Sequence, residues 1–284
     1  MAINIHNLRV SNMTVGPLSG GGNGGGGGID ISTTNLQLYW DMGNSTSYSG
    51  TGTTIKDLSG NGNDGVLTGT PTYSSAGASS YLDWSGDNTA FATYNSTYLA
   101  DTLNVASANE ITVSNWVTFT DGHPTIQNTY IGSCQNGNLT IRQGYDGHVS
   151  IGSKLLFLGS LYDTSLNSVF YYHPSDQWSP YSSYGLSSSD FNNWFNFTLT
   201  VGSGYFRFYL NGVEQWNNTY DNANNSLNRY KFAFGAMLDT NDQTNRISWS
   251  AFSGKWGNSA VYNRALPASE VLSNYDALKS RYGY

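Results

Sequence analysis

Cysteine occurs once in this sequence, at Cys134, so no disulfide can close within the chain and nothing in it calls for an oxidising compartment. Folding in a reducing cytosol is the simpler inference. Charge is also scarce: Asp, Glu, Lys and Arg make up 11% of the residues, well below the usual quarter, and the net charge is −7. The basic residues are scattered from Arg9 to Arg281, with no cluster of the kind a phosphate backbone requires, which excludes a nucleic-acid partner. No apolar run approaches the roughly 20 residues of a membrane-spanning helix, so a membrane partner is not expected. The opening "MAINIHNLRV" lacks the basic start and continuous apolar core of a secretion signal. A surface fit for extracellular work without such a signal points to release by lysis.

Catalytic patterns are missing as well. Glutamate occurs only at Glu110, Glu214 and Glu270, too far apart to alternate along one strand. His6, His123, His148 and His173 show no metal-ligand spacing, and no G-x-S-x-G elbow occurs. Cys134, in "GSCQNG", has no activating neighbour and reads as a structural thiol.

Glycine (33), tyrosine (21) and tryptophan (8) are plentiful, and the polar remainder is mainly Asn, Ser and Thr. Such a chain makes an uncharged, hydrogen-bonding surface with many turns, as an all-β protein has. At 284 residues with 38% hydrophobic composition it is long enough to bury a substantial core. Residues 19–30, "SGGGNGGGGGID", form a nearly pure glycine tract. Two readings are open: a flexible linker, or a strap laid closely along another protein's backbone where only glycine fits. Ahead of the tract, Ile3, Ile5, Leu8 and Val10 alternate with polar residues in a strand-like pattern. A lone strand is not stable in water, so these four residues are expected to pair with a partner's sheet edge or to fold back onto their own domain. The expected division is an anchoring arm over 1–19, a Gly-rich strap over 20–31 and one domain over 32–284.

The domain reads as short strands separated by turns: "LQLYWDM" (36–42), "YLDWS" (81–85), "ITVSNWVTFT" (111–120), "FNFTLTV" (195–201), "YFRFYLNG" (205–212), "YKFAFGAML" (230–238) and "SAVYNRAL" (259–266). In the third, Ile111, Val113, Asn115, Val117 and Phe119 share one face and Trp116 lies on the other, so both faces carry bulk. Asn211-Gly212 is a hairpin signal. Only the end reads as helix, with Val271, Leu272, Tyr275, Leu278 and Tyr282 at helical spacing after Pro267, expected to cap the sandwich.

Several segments, taken in order, resemble the laminin G-like (LamG), concanavalin A-like jelly roll of the lectins and glucanases. They are "LQLYWDMGNS" with "IKDLSGNGNDGVL", then "YLDWSGDNTAFAT", "ITVSNWVTF" with Trp116, "NNWFNFTLTVGSGYFRFYLNGVEQ", and "FSGKWGNSAVYNRALPASEVLSNYDA". In the last, Tyr262 to Leu266 precede a short helix containing Glu270. The resemblance implies an all-β concanavalin A-like (LamG) jelly-roll β-sandwich of two antiparallel sheets, with a short C-terminal helix and an extended N-terminal arm. It departs from the simplest pattern between residues 125 and 190. Related glucanases use a Glu-x-Asp-x-Glu strand, which this chain lacks, so no enzyme is expected. Some relatives bind calcium. In "DLSGNGNDG", Asp57, Asn61, Asn63 and Asp64 offer hard oxygen donors, whereas Gly60, Gly62 and Gly65 are what a tight turn needs. The hairpin is the preferred reading, calcium stays open, and "LDTNDQTN" with Asp239 and Asp242 shares the ambiguity.

The stretch "VFYYHPSDQWSPYSSYG" (169–185) gathers Tyr171, Tyr172, Trp178, Tyr181 and Tyr184 among Ser, Pro and Gly. Rigid rings of this kind provide contact area for a glycan or receptor, or line an inter-subunit contact or the domain's own core. The resemblance extends to LamG-domain virion proteins of tailed bacteriophages, marine ones included. The main expectation is therefore a phage virion structural protein, a capsid decoration or a fibre or tail-surface component, located at the virion surface. Its arm would be held by a capsid or tail protein of the same particle, with homo-oligomerisation and contact to surface polysaccharide. The alternative is a stand-alone carbohydrate-binding lectin, and a glycoside hydrolase is disfavoured by the scarcity of carboxylates.

Overall fold

The structure, a computed structural model, describes residues 28–85, 89–94, 110–118, 128–132, 140–143, 162–163, 168–169, 193–202, 205–219, 233–236, 238 and 252–284. Two antiparallel sheets form the body of the described structure. The larger runs in the order β14 (Val213–Thr219), β13 (Tyr205–Leu210), β12 (Trp194–Gly202), β7 (Ile111–Thr118), β16 (Lys255–Tyr262), β5 (Tyr81–Asp83) and β4 (Thr72–Ser74). An eighth strand, β1 (Leu36–Asp41), pairs with the upper part of β16, beside the stretch that pairs with β5. The smaller sheet runs β2 (Thr54–Ile55), β3 (Gly65–Thr68), β6 (Phe91–Tyr94), β15 (Ala233–Phe234), β8 (Asn128–Gly132) and β9 (Thr140–Gln143). A separate ribbon joins β10 (Tyr162–Asp163) to β11 (Ser168–Val169).

Period-two alternation explains which residues meet. Ile111, Val113 and Val117 of β7 face the smaller sheet, together with Leu38, Trp40, Phe195, Phe197, Leu199, Trp256 and Val261. Trp40 reaches Phe234 of the opposite sheet at a ring separation of 5.0 Å, and Phe234 stacks on Trp256 at 5.8 Å, so aromatic rings bridge the two layers. Gly235 lies at φ +89°, and a Cβ there would come within 1.7 Å of the Trp84 ring, so only glycine lets the chain leave β15 past this indole. Asn115 also points inward, where its Oδ1 accepts from Ser259 Oγ, which in turn accepts from Trp256 Nε1 at 2.8 Å.

The larger sheet is buried on both faces. Its other face, carrying Tyr39, Trp116, Tyr209, Ala260 and Tyr262, packs against helix α1 (Ala268–Leu278) and the 3-10 turn Lys279–Tyr282 through Val271, Leu278 and Tyr282. The expected C-terminal helix is therefore present, laid across the back of one sheet. Pro267 stands just before its first residue and accepts from the amides of Glu270 and Val271. Leu272 does not join the packed face: it is 43% exposed, over the turn at Gly212. That turn is the two-residue hairpin the sequence implies, with Asn211 at φ 50° and Gly212 at φ 76°, the left-handed pair that matches strand twist.

The other expected strands occur with shifted bounds. β16 starts at Lys255 and ends at Tyr262, so residues 263–266 form the approach to the helix. A bulge between Trp256 and Asn258 breaks its alternation and turns Trp256 and Val261 inward while Asn258 and Ala260 face the helix layer. Ile29 and Ile31 pack into the helix-side cluster. Among the described residues, no helix is long and apolar enough to cross a membrane.

Candidate functional site

The four arm residues Ile3, Ile5, Leu8 and Val10 and the five ring residues Tyr171, Tyr172, Trp178, Tyr181 and Tyr184 lie outside the described residues, as do Asp239 and Asp242. The hairpin "DLSGNGNDG" is described, and both of its carboxylates are engaged. Asp57 Oδ1 accepts from the amides of Tyr39 and Ser59, both at 2.9 Å, and Oδ2 accepts from Ser59 Oγ at 2.7 Å and Asn63 N at 3.0 Å. Asp64 accepts from the Asp57 amide at 2.9 Å and from Lys56 Nζ. Burial of the Asp64 carboxyl works against its ionisation, but these donors outweigh it and hold the pKa below the ordinary aspartate value. The amide nitrogens of Asn61 and Asn63 donate to the carbonyls of Leu36 and Gln37, tying the hairpin to β1. Four donors on one carboxylate make this a tightly hydrogen-bonded turn, as the hairpin reading expects. Among the described residues, no group of three His, Cys, Asp or Glu side chains is placed to hold a metal.

Each glutamate serves the fold. Glu110 Oε2 accepts from the Ala265 amide, Glu214 accepts from Asn217 Nδ2 at 2.6 Å, and Glu270 takes both terminal nitrogens of Arg264. Ser32 Oγ donates to Glu270 at 3.1 Å, while Asn274 receives the Ser32 amide and donates to Tyr262 Oη. This clasp fixes the chain entering β1 to the helix that ends the domain. The hydrogen bonds from Arg264 lower the Glu270 pKa against the opposing effect of burial. The three stand on different parts of the fold, Glu110 just before β7, Glu214 in β14 and Glu270 in the helix, so no two adjoin along one strand as the glucanase pattern requires.

One end of the larger sheet carries a different constellation on its outer face. In register, Trp194 of β12 lies beside Thr118 of β7, and Lys255 of β16 lies beside Asp83 of β5. The Lys255 amide donates to Thr118 Oγ1 at 3.0 Å, closing the row. Tyr81, two residues before Asp83 and therefore on the same face, meets Trp194 edge to face at 5.6 Å, and Lys255 Nζ lies 5.1 Å from the Tyr81 ring centre. Behind them Trp194 leans on Tyr282 at 4.7 Å, Tyr282 stacks on Trp116 at 4.3 Å, and the hydroxyl of Tyr284 donates to the Trp194 carbonyl. Tyr81, Trp194, Lys255 and Asp83 are all half-buried, so part of each faces solvent. Their grouping was not visible in the sequence: Trp194 is legible as the residue leading a strand, but only the register brings it to Tyr81 and Lys255.

No protein-family model and no curated protein sequence matches the chain. Solved structures do. The binding domain of Paraclostridial Mosquitocidal Protein 1 is similar over 86% of this chain with a TM-score of 0.60 at 17% identity. A structure of botulinum neurotoxin type C, whose cell entry depends on interaction with two ganglioside molecules, is similar over 87% with a TM-score of 0.58 at 16% identity. This chain spans about half of each toxin structure, 52% in both cases. Domain 4 of an extracellular arabinanase from Geobacillus stearothermophilus, in complex with arabinotriose, is similar over 85% of this chain and 98% of its own length, with a TM-score of 0.51 at 17% identity. These likenesses establish a concanavalin A and laminin G type of jelly-roll sandwich. They overturn the expectation of a phage virion component: the structures just named belong to toxins and an extracellular arabinanase. The described body closes its own core, and the segment leading into it at Ile29 and Ile31 packs on the chain's own helix.

Proposed function

We propose that the chain is a carbohydrate-binding β-sandwich module, a lectin-type domain that holds a glycan without transforming it. The observation that carries this reading is the match to domain 4 of the arabinanase, a unit almost all of whose length corresponds to this chain and which holds arabinotriose. The ganglioside dependence of the botulinum neurotoxin supports the same direction. Chemistry agrees: a composition low in charge and rich in Asn, Ser, Thr and aromatic rings suits ligands that present hydroxyl groups and apolar ring faces. The engagement of Glu110, Glu214 and Glu270 in structural hydrogen bonds accords with binding in place of hydrolysis. The Tyr- and Trp-rich stretch 169–185 supplies contact residues in this proposal, with Tyr171, Tyr172, Trp178, Tyr181 and Tyr184 stacking on or bordering the sugar.

The test is a glycan array probed with the full chain, followed by titration of the retained class. Trp178→Ala is expected to weaken binding about two- to tenfold, the range for one aromatic contact. Failure of the chain to retain any glycan, neutral or sialylated, would overturn the reading.

A further inference from the structure

We infer that the outer face of the larger sheet carries a saccharide site of its own, built from Trp194, Tyr81, Lys255 and Asp83, and that it takes a neutral sugar ring with adjacent hydroxyl groups. The inference rests on the carbohydrate-binding reading and adds a place and a ligand class to it.

Asp83 and Lys255 lie directly opposite each other on neighbouring antiparallel strands, a position in which opposite charges ordinarily pair. They form no ion pair. The Lys255 ammonium lies over the Tyr81 ring, and it meets no carboxylate among the described residues. Asp83 Oδ1 accepts from the amide and hydroxyl of Ser85, at 3.0 and 2.6 Å, while Oδ2 receives no donor among the described residues. One acceptor and one donor of opposite charge are thus left side by side. A pair of adjacent sugar hydroxyls satisfies both: one donates to Asp83 Oδ2, and its neighbour accepts from Lys255 Nζ.

The rings complete the match. Tyr81 and Trp194 border the charged pair, edge to face at 5.6 Å, and offer apolar surface to the C–H face of a sugar. Tyr282 packs against the Trp194 ring from behind, and Tyr284 anchors the Trp194 backbone carbonyl, so the ring is already backed and little side-chain freedom is lost on binding. An acidic sugar would gain from Lys255 but would set its carboxylate against Asp83, which is why the site selects neutral rings.

Calorimetric titration with arabinotriose, cellotriose, mannotriose and sialyllactose tests this, using wild type and a Trp178→Ala/Tyr181→Ala chain that removes the contribution of the 169–185 stretch. The doubly substituted chain is expected to keep binding a neutral trisaccharide in preference to sialyllactose. Adding Asp83→Asn or Lys255→Met should weaken that binding about tenfold, the loss expected for one charge-assisted hydrogen bond, with the melting temperature unchanged. If the doubly substituted chain loses all sugar binding, or keeps it undiminished in the presence of Asp83→Asn and Lys255→Met, the outer-face site is wrong while the general reading stands. If wild type binds none of the four sugars and no glycan on the array, both fall together.

Discussion

Asp41 and Arg281 form the most deeply buried ion pair of the described residues, with side chains 5% and 12% exposed. The guanidinium meets both carboxylate oxygens, at 2.6 and 2.9 Å, and its Nε donates to the Ala78 carbonyl at 2.8 Å. Asp41 also accepts from the Gly43 amide and the Tyr39 hydroxyl. Burial alone would lower the pKa of Arg281, but its hydrogen bonds to Asp41 and the surrounding charges raise it above the ordinary arginine value. With its partners in place the pair is neutral to its surroundings; with one removed, a buried charge stands alone. Asp41→Asn is expected to destabilise the protein by about 3–5 kcal/mol, read as a lower urea midpoint with the slope unchanged. An effect below about 1 kcal/mol would show that water reaches Arg281 freely. None of this is legible in the sequence, where Asp41 is simply the polar end of "LQLYWDM" and its partner lies 240 residues away. Asp57 was easier to read, because the residues it organises lie within its own turn.

The terminal helix is attached by chemistry at one end and by rings at the other. At its start, Arg264, Glu270, Ser32 and Asn274 form the clasp, and toward its end Tyr275 and Tyr282 stack on Trp116. The clasp is sensitive to acid. Glu270 has a folded-state pKa depressed below its ordinary value of 4.5, so its contribution is complete above that value and is lost as pH falls through the depressed one. A partly exposed pair of this kind contributes up to about 1 kcal/mol. Glu270→Gln should therefore lower stability slightly at neutral pH and flatten the loss that sets in as pH falls below about 4.5, measured by chemical denaturation. Asp64, shifted in the same direction, keeps some acid dependence in the variant. An unchanged pH profile would remove Glu270 from the clasp. The helix was readable from its spacing because Val271, Tyr275, Leu278 and Tyr282 recur every third or fourth residue. Leu272 fits the same pattern yet faces solvent, since periodicity gives the direction of a stripe but not its width. The start of β16 was not readable, because the bulge at Gly257 puts Trp256 and Asn258 on faces that strict alternation would not predict.

At the scale of the whole molecule, long-range pairing dominates. Among the described residues β1 has a single strand partner, β16, and the register joins Leu38 to Val261 and Trp40 to Ser259. β16 in turn separates β1 and β5 from β7, so the larger sheet is continuous only when this late segment is in place. The family resemblance made the two-sheet architecture visible in advance. Which strands become neighbours across more than 200 residues was not visible, because pairing depends on complementary faces and not on local pattern. A chain ending at residue 254 is expected to lack a cooperative unfolding transition and the near-ultraviolet dichroism of packed tryptophans; a sharp transition in that variant would show that β7 and β12 suffice as a nucleus.

The same order of strands has a consequence during synthesis. At the ribosome, residues 36–41 emerge early, and the strand they pair with among the described residues is translated more than 200 residues later. For most of elongation Leu38 and Trp40 wait without the neighbours that will bury them, so a stalled or prematurely terminated polypeptide presents a sticky edge to every other nascent chain nearby.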